Sequence, residues 1–255
     1  MTFWQAIKAT YSGSFAFLVA CPLLALVPVV CELVQHLAEV HLGMYASIAA
    51  AKAFEHHPLR MGFGLLKVAS LTVPCYWVVR FLAYRDPAMA RRLEPVPARL
   101  FAGYFAFQMA MAVIQLFVLP QTPAVQLVAF VAALVVSTAI VAWGVAAPLG
   151  DAAVGPVRSA RVMARHLPWS IALYLAAFLP LLVPHYALGA LALLGPAPLL
   201  WPVLVVDSLL VGVMAPVMIA AGYHAAQRAA ASAQVSLGVA PTVFDPRCGA
   251  GFRQS

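Results

Sequence analysis

The chain has 255 residues, 64% of them hydrophobic and only 9% charged, with fifteen Lys and Arg against eight Asp and Glu for a formal net charge of +7. Mean hydropathy is +0.95 and the pI about 9.5. Soluble domains carry about a quarter charged residues, so this composition excludes a water-solvated exterior and predicts an all-α polytopic membrane bundle whose solvent is lipid. The basic balance does not signal nucleic acid, because the cations are scattered between apolar runs and never interleave with base-stacking aromatics.

Windows of about 20 apolar residues predict six transmembrane helices. The first covers residues 14–34 and is interrupted only by Glu32. Within it Leu18-Val19-Ala20-Cys21 resembles a lipoprotein cleavage box. A signal peptide has an apolar core of about 7–15 residues, whereas this run continues well past Cys21, so an uncleaved first helix is expected. Residues 36–57 repeat Met44, Ile48, Ala51 and Phe54 at helical spacing and are predicted as an amphipathic surface helix. The second span is residues 61–79. The stretch 80–99, with Pro87, Pro95 and Pro97, reads as irregular. The third span, 100–119, stops at Pro120, and the fourth, 124–147, stops at Pro148. A second surface helix is expected over 151–166. The fifth span is 169–184, with Pro184 as a break before Leu194, and the sixth is 200–222. Residues 229–255 read as a mobile tail.

The positive-inside rule orients the bundle. With both termini cytoplasmic, twelve Lys and Arg fall on the inner side and only Lys52 and Arg60 on the outer, while Lys67 lies inside a span. Trp4, Trp77, Trp143 and Trp169 mark inner boundaries and Trp201 an outer one. The four cysteines, Cys21, Cys31, Cys75 and Cys248, show no CxxC spacing, so neither a zinc ribbon nor a disulfide framework is predicted.

Ionisable groups inside a bilayer need a partner. Lys67 and Asp207 lie at equal depth below the outer surface, which predicts an ion pair between them, with Glu32 as the competing partner. Glu32, His36 and Glu39 stand at i, i+4 and i+7 and share one helical face, so they are the candidate ligands if any metal binds. The expectation for them, and for His41, His56, His57 and His185, is solvated outer histidines and no metal or other cofactor. Gln108, Gln115, Ser137 and Thr138 read as interhelical hydrogen-bonding groups. Arg158, Arg161 and Arg165 stand on one face of the 151–166 helix and are placed to meet anionic lipid headgroups or a partner. No GxSxG elbow, phosphate loop or HExxH is present in the sequence.

Several residues carry a resemblance: Trp143 through Pro148, Asp151, Val157-Arg158-Ser159-Ala160-Arg161, His166-Leu167-Pro168-Trp169 and Ala220-Ala221-Gly222-Tyr223-His224. In these, residues 143–224 resemble the YciC-type six-span bacterial inner-membrane proteins, which are related to the membrane domain of some glycerophosphodiester phosphodiesterases. The resemblance implies a bacterial inner-membrane location and brings no enzyme activity, since the phosphodiesterase domain is not part of the matching stretch. The function expected from the sequence is therefore a non-enzymatic integral membrane protein that organises lipids, a membrane-protein partner or a second copy of itself. The alternative is a small permease or ion-coupled transporter that uses an outer-leaflet cluster of Lys67, Asp207 and Glu32.

Overall fold

The computed structural model describes residues 1–238. Among them there is no strand, and twelve α-helices follow one another in chain order. Helix α1 (Phe3–Ala20) begins on a capping box, in which Thr2 accepts from the Gln5 N–H and the Thr2 N–H donates to Gln5 Oε1 at 2.8 Å. It ends at Cys21 because Pro22 has no N–H to continue the ladder and its ring clashes with the preceding turn.

That break corrects the first predicted span. The apolar run over 14–34 is not one helix. Its first part belongs to α1, which packs on α5, α11 and α12 and is not among the helices long and apolar enough to cross a membrane. The crossing helix is α2 (Pro22–His41). The predicted surface helix over 36–57 is divided as well. Residues 36–41 complete α2, Gly43 turns the chain at φ 74°, residues Met44–Ala46 form a 3₁₀ turn, and α3 (Ile48–Ala53) starts on a Ser47 cap.

Helices α4 (Pro58–Thr72) and α5 (Cys75–Tyr84) form the second span, longer at both ends than 61–79. The stretch expected to be irregular holds α6 (Pro87–Arg91) and the start of α7 (Pro95–Val113), which continues as a π turn to Val118. The prolines there open helices instead of breaking them. At the first helical position the missing N–H has no intrahelical partner to lose and φ is already set. Pro22, Pro58, Pro87, Pro95, Pro123 and Pro156 all stand at such starts.

The fourth span is bent by 51° between α8 (Pro123–Ala139) and α9 (Val141–Ala146). Ser159, on α10 (Pro156–Met163), bridges the bend. Its hydroxyl donates to the Ala139 carbonyl at 2.9 Å and accepts from the Trp143 N–H at 3.1 Å, giving a donor to a carbonyl at the bend and a second acceptor to an N–H that also reaches the Ile140 carbonyl at 3.0 Å. Helix α11 (Leu167–Leu194) runs unbroken through Pro180 and Pro184, so the predicted stop at Pro184 does not occur. Helix α12 (Leu200–Ser232) runs ten residues beyond the predicted end. The tail is correspondingly shorter, with Leu237 buried against the core. The rest of the tail, including Arg247, Cys248 and Arg253, lies outside the described residues.

Among the described residues five helical segments are long and apolar enough to cross a membrane, and the bent α8–α9 pair brings the number to six when counted as one span. Helix α12 is the axis of the bundle, with nineteen of its 33 residues buried, and it packs on α1, α2, α5, α9 and α11. Small residues permit this approach. Gly212 lies directly against Val29 of α2, and Gly222 against Tyr174 of α11.

At the arginine-rich end, Arg80 is fully buried. Its guanidinium donates to the carbonyls of Met89 (3.2 Å) and Pro148 (3.1 Å) and to Glu94 Oε1 (3.0 Å), between the rings of Tyr76 and Tyr84. A residue counted in the sequence as an orienting charge is thus a tie holding α5, α6, α7 and the turn Ala147–Leu149 together.

Candidate polar site inside the bundle

Four side chains on α2 define the site. Glu32, Gln35, His36 and Glu39 fall at i, i+3, i+4 and i+7, so a single helical face carries them. All four are buried, and that face turns inward towards α4, α11 and α12. Arg60 and Lys67 of α4 run antiparallel to it, one opposite Glu39 and the other opposite Glu32. His185 of α11, Asp207 of α12 and Tyr45 from the 3₁₀ turn complete a cavity of about 330 Å³. Counting ~1.5 Å per residue from His41, Pro58, Leu194 and Leu200, Glu32, Lys67, His185 and Asp207 lie roughly 10–14 Å below that end.

Lys67 Nζ is 2.7 Å from Glu32 Oε1. Lys67 and Asp207 form no ion pair within the described residues. The predicted Lys67–Asp207 pair is therefore corrected in favour of Glu32, while all three residues do share one cavity. Asp207 is held instead by two histidines, with Oδ1 2.7 Å from His185 Nδ1 and Oδ2 3.1 Å from His36 Nε2. His36 Nε2 also lies 3.6 Å from Glu32 Oε1. The other ring nitrogen, Nδ1, faces Glu39 Oε2 at 3.3 Å and the Tyr45 hydroxyl at 3.2 Å.

Glu39 is the best-satisfied acid of the three. It accepts from Tyr45 (2.7 Å), Gln35 Nε2 (3.1 Å) and Arg60 Nε (3.3 Å). Burial, reinforced by this carboxylate, pushes the Tyr45 phenol far above its ordinary value and keeps it a donor. Of the six buried side-chain polar atoms without a partner among the described residues, two line this cavity, Glu32 Oε2 and Gln35 Oε1. Among the described residues, the cavity lining has no serine, threonine or cysteine that could serve as a nucleophile.

The candidate ligand set from the sequence was Glu32, His36 and Glu39. The structure brings Glu32, His36 and Asp207 together instead, with ligand atoms all within 4.8 Å of one another, and sets Glu39 behind His36. His36 is buried and His185 only partly exposed, which overturns their expected place in solvent. His41 and His56 are exposed, and His57 caps α4 by accepting the Leu59 N–H. Sequence reasoning missed Gln35, Tyr45, Arg60 and His185 as site residues. Arg60 could have been found from its seven-residue spacing to Lys67, which mirrors that of Glu32 and Glu39.

Arg158, Arg161 and Arg165 are exposed near the start of α11. The expected interhelical role of Gln108 and Thr138 is not seen. Gln108 donates to Tyr104 of its own helix and Thr138 to the Leu134 carbonyl. A second cavity, of about 270 Å³, is mostly apolar in lining and includes Cys75, Tyr104 and Tyr174.

No protein-family model, no curated protein and no solved structure matches the chain.

Proposed function

We propose that this protein is a small membrane carrier that binds a cationic or hydrogen-bond-donating solute in the cavity between α2, α4, α11 and α12. The observation that carries this reading is the pair of unpartnered acceptors, Glu32 Oε2 and Gln35 Oε1, on side chains only 1% and 8% exposed. An unsatisfied buried acceptor costs about 1–3 kcal/mol, and a bundle of apolar helices needs no such group to fold. Both orphans are acceptors, so the missing partner is a donor or a cation. The lining is polar throughout on this side, with three carboxylates, the side chains of Arg60 and Lys67 and two imidazoles around one cavity. A polar cavity enclosed at the contact of several helices is the kind of place where carriers bind their solutes.

The exposed face of Arg158, Arg161 and Arg165 supports a second, compatible role, contact with anionic lipid headgroups at the inner leaflet in the orientation that the arginine count predicts. The resemblance of residues 143–224 to YciC-type proteins fits a bacterial inner-membrane setting for both.

The test is a thermal-stability screen of the detergent-solubilised protein against inorganic cations, amines and anions, followed by flux of each stabilising solute into proteoliposomes. A cationic solute is expected to stabilise the protein and to cross the membrane, with both effects lost in Glu32→Gln and Asp207→Asn. Stabilisation by anions alone, or no solute response from a folded protein, would overturn the reading.

A further inference from the structure

We infer that the solute is a divalent first-row transition-metal ion of the zinc type, bound by Glu32, His36 and Asp207. This inference rests on the carrier reading and names the ligand of the same cavity.

The distances fit the chemistry. Zinc bonds to His nitrogen and carboxylate oxygen are ~2.0–2.2 Å in tetrahedral geometry, so neighbouring ligand atoms stand about 3.3–3.5 Å apart. His36 Nε2 is 3.1 Å from Asp207 Oδ2 and 3.6 Å from Glu32 Oε1. One ring nitrogen between two carboxylates carries at most one proton and cannot donate well to both, whereas a shared cation satisfies all three. The orphaned Glu32 Oε2 lies on the same carboxylate and offers a further donor atom.

The groups behind the ligands are arranged as metal sites require. A ligating histidine characteristically donates its other N–H to a carboxylate, which fixes the tautomer and turns the free nitrogen to the metal. His36 Nδ1 faces Glu39 Oε2 at 3.3 Å, and Glu39 is itself held by Tyr45, Gln35 and Arg60. Asp207 is gripped through Oδ1 by His185, leaving Oδ2 to face His36. Glu39 is thus a positioning residue. One nitrogen and two oxygens, with no sulfur, suit zinc, manganese or iron, and the imidazole disfavours magnesium and calcium. Three protein ligands leave one position open, as a site that must release its ion needs.

Lys67 acts as the tethered stand-in for the ion. Its ammonium holds Glu32 at 2.7 Å, and its side chain, 22% exposed, has room to withdraw when a metal takes the carboxylate. Metal and ammonium compete for Glu32, so this carboxylate has a cationic partner whether the site is loaded or empty.

The test uses the full-length protein in detergent, stripped with chelator, loaded separately with ZnCl₂ and MnCl₂, desalted and assayed for retained metal by elemental mass spectrometry. Retention of about one ion per chain is expected from the single site, reduced to background in His36→Gln and Asp207→Asn. Glu39→Gln keeps every ligand and is expected to weaken binding about 10–100-fold, while Lys67→Met, which removes the competitor, strengthens it. Size-exclusion profiles establish that each variant is folded. Metal retained equally by His36→Gln, or weakened binding in Lys67→Met, would overturn the assignment. A folded wild-type protein that retains no metal but is stabilised by an organic amine overturns the metal and keeps the carrier. One that responds to neither overturns both.

Discussion

Lys67 and Glu32 meet across the α2–α4 seam at 2.7 Å, two helical turns from the Arg60–Glu39 contact on the same seam. The two pairs lock the antiparallel register of α2 against α4, because a shift of one turn would take both cations off their carboxylates. Only Glu32 is left with an unpartnered oxygen, which makes this the functional end of the seam.

Removing the ammonium alone should be costly. Breaking one partner of a buried pair costs about 3–5 kcal/mol. Because Lys67 keeps 22% exposure, Lys67→Met should lose less, about 2–3 kcal/mol, in the metal-free protein. The double variant Lys67→Met/Glu32→Gln should recover most of that loss. Reversible unfolding in mixed micelles, arranged as a double-mutant cycle, measures the coupling. A double variant no better than Lys67→Met would show that the pair is not coupled.

Arg80 predicts a large effect at a site far from the cavity. Lysine cannot reproduce three directed bonds to Met89, Pro148 and Glu94 or lie flat between Tyr76 and Tyr84. Arg80→Lys should therefore destabilise by about 3 kcal/mol or more. The exposed Arg99→Ala should stay within about 0.5 kcal/mol. Thermal unfolding of both variants makes the comparison, and equal midpoints would remove the structural role given to Arg80.

Ser159→Ala removes the donor to the Ala139 carbonyl at the bend and leaves the Trp143 N–H with the Ile140 carbonyl alone. The expected loss is about 1–3 kcal/mol. Hydrogen exchange followed by mass spectrometry should show faster exchange confined to the peptides around residues 139–144. Unchanged protection there would mean that the bend is held by packing alone.

The arginine face of α10 and the turn after it gives a fourth expectation. At about 1 kcal/mol per basic residue near an anionic surface, replacing Arg158, Arg161 and Arg165 with Gln should weaken retention of anionic lipid by about 100-fold. Native mass spectrometry of protein from nanodiscs of mixed anionic and zwitterionic lipid reads this directly. Undiminished anionic lipid on the triple variant would leave these residues no role in lipid contact.

The sequence by itself determined the lipid-solvated all-α class, because composition and apolar run length are properties of the chain alone. It also determined depth. Residue counts along a helix convert to distance at a fixed rise, so Lys67 and Asp207 were legible as lying at one level, and Glu32, His36 and Glu39 as sharing one face. Azimuth around the bundle was not legible. Which of several acids at one depth meets Lys67 depends on how α2, α4, α11 and α12 are ordered and rotated, and that is set by packing between residues distant in sequence, such as Gly212 against Val29. The apolar run through Cys21 and Pro22 also concealed a helix boundary, since hydropathy does not register a missing N–H. Placing the first span eight residues early left His36 in solvent. Only the tertiary structure carried it inside, between Asp207 and Glu39, where its two nitrogens acquire different neighbours and the cavity acquires its chemistry.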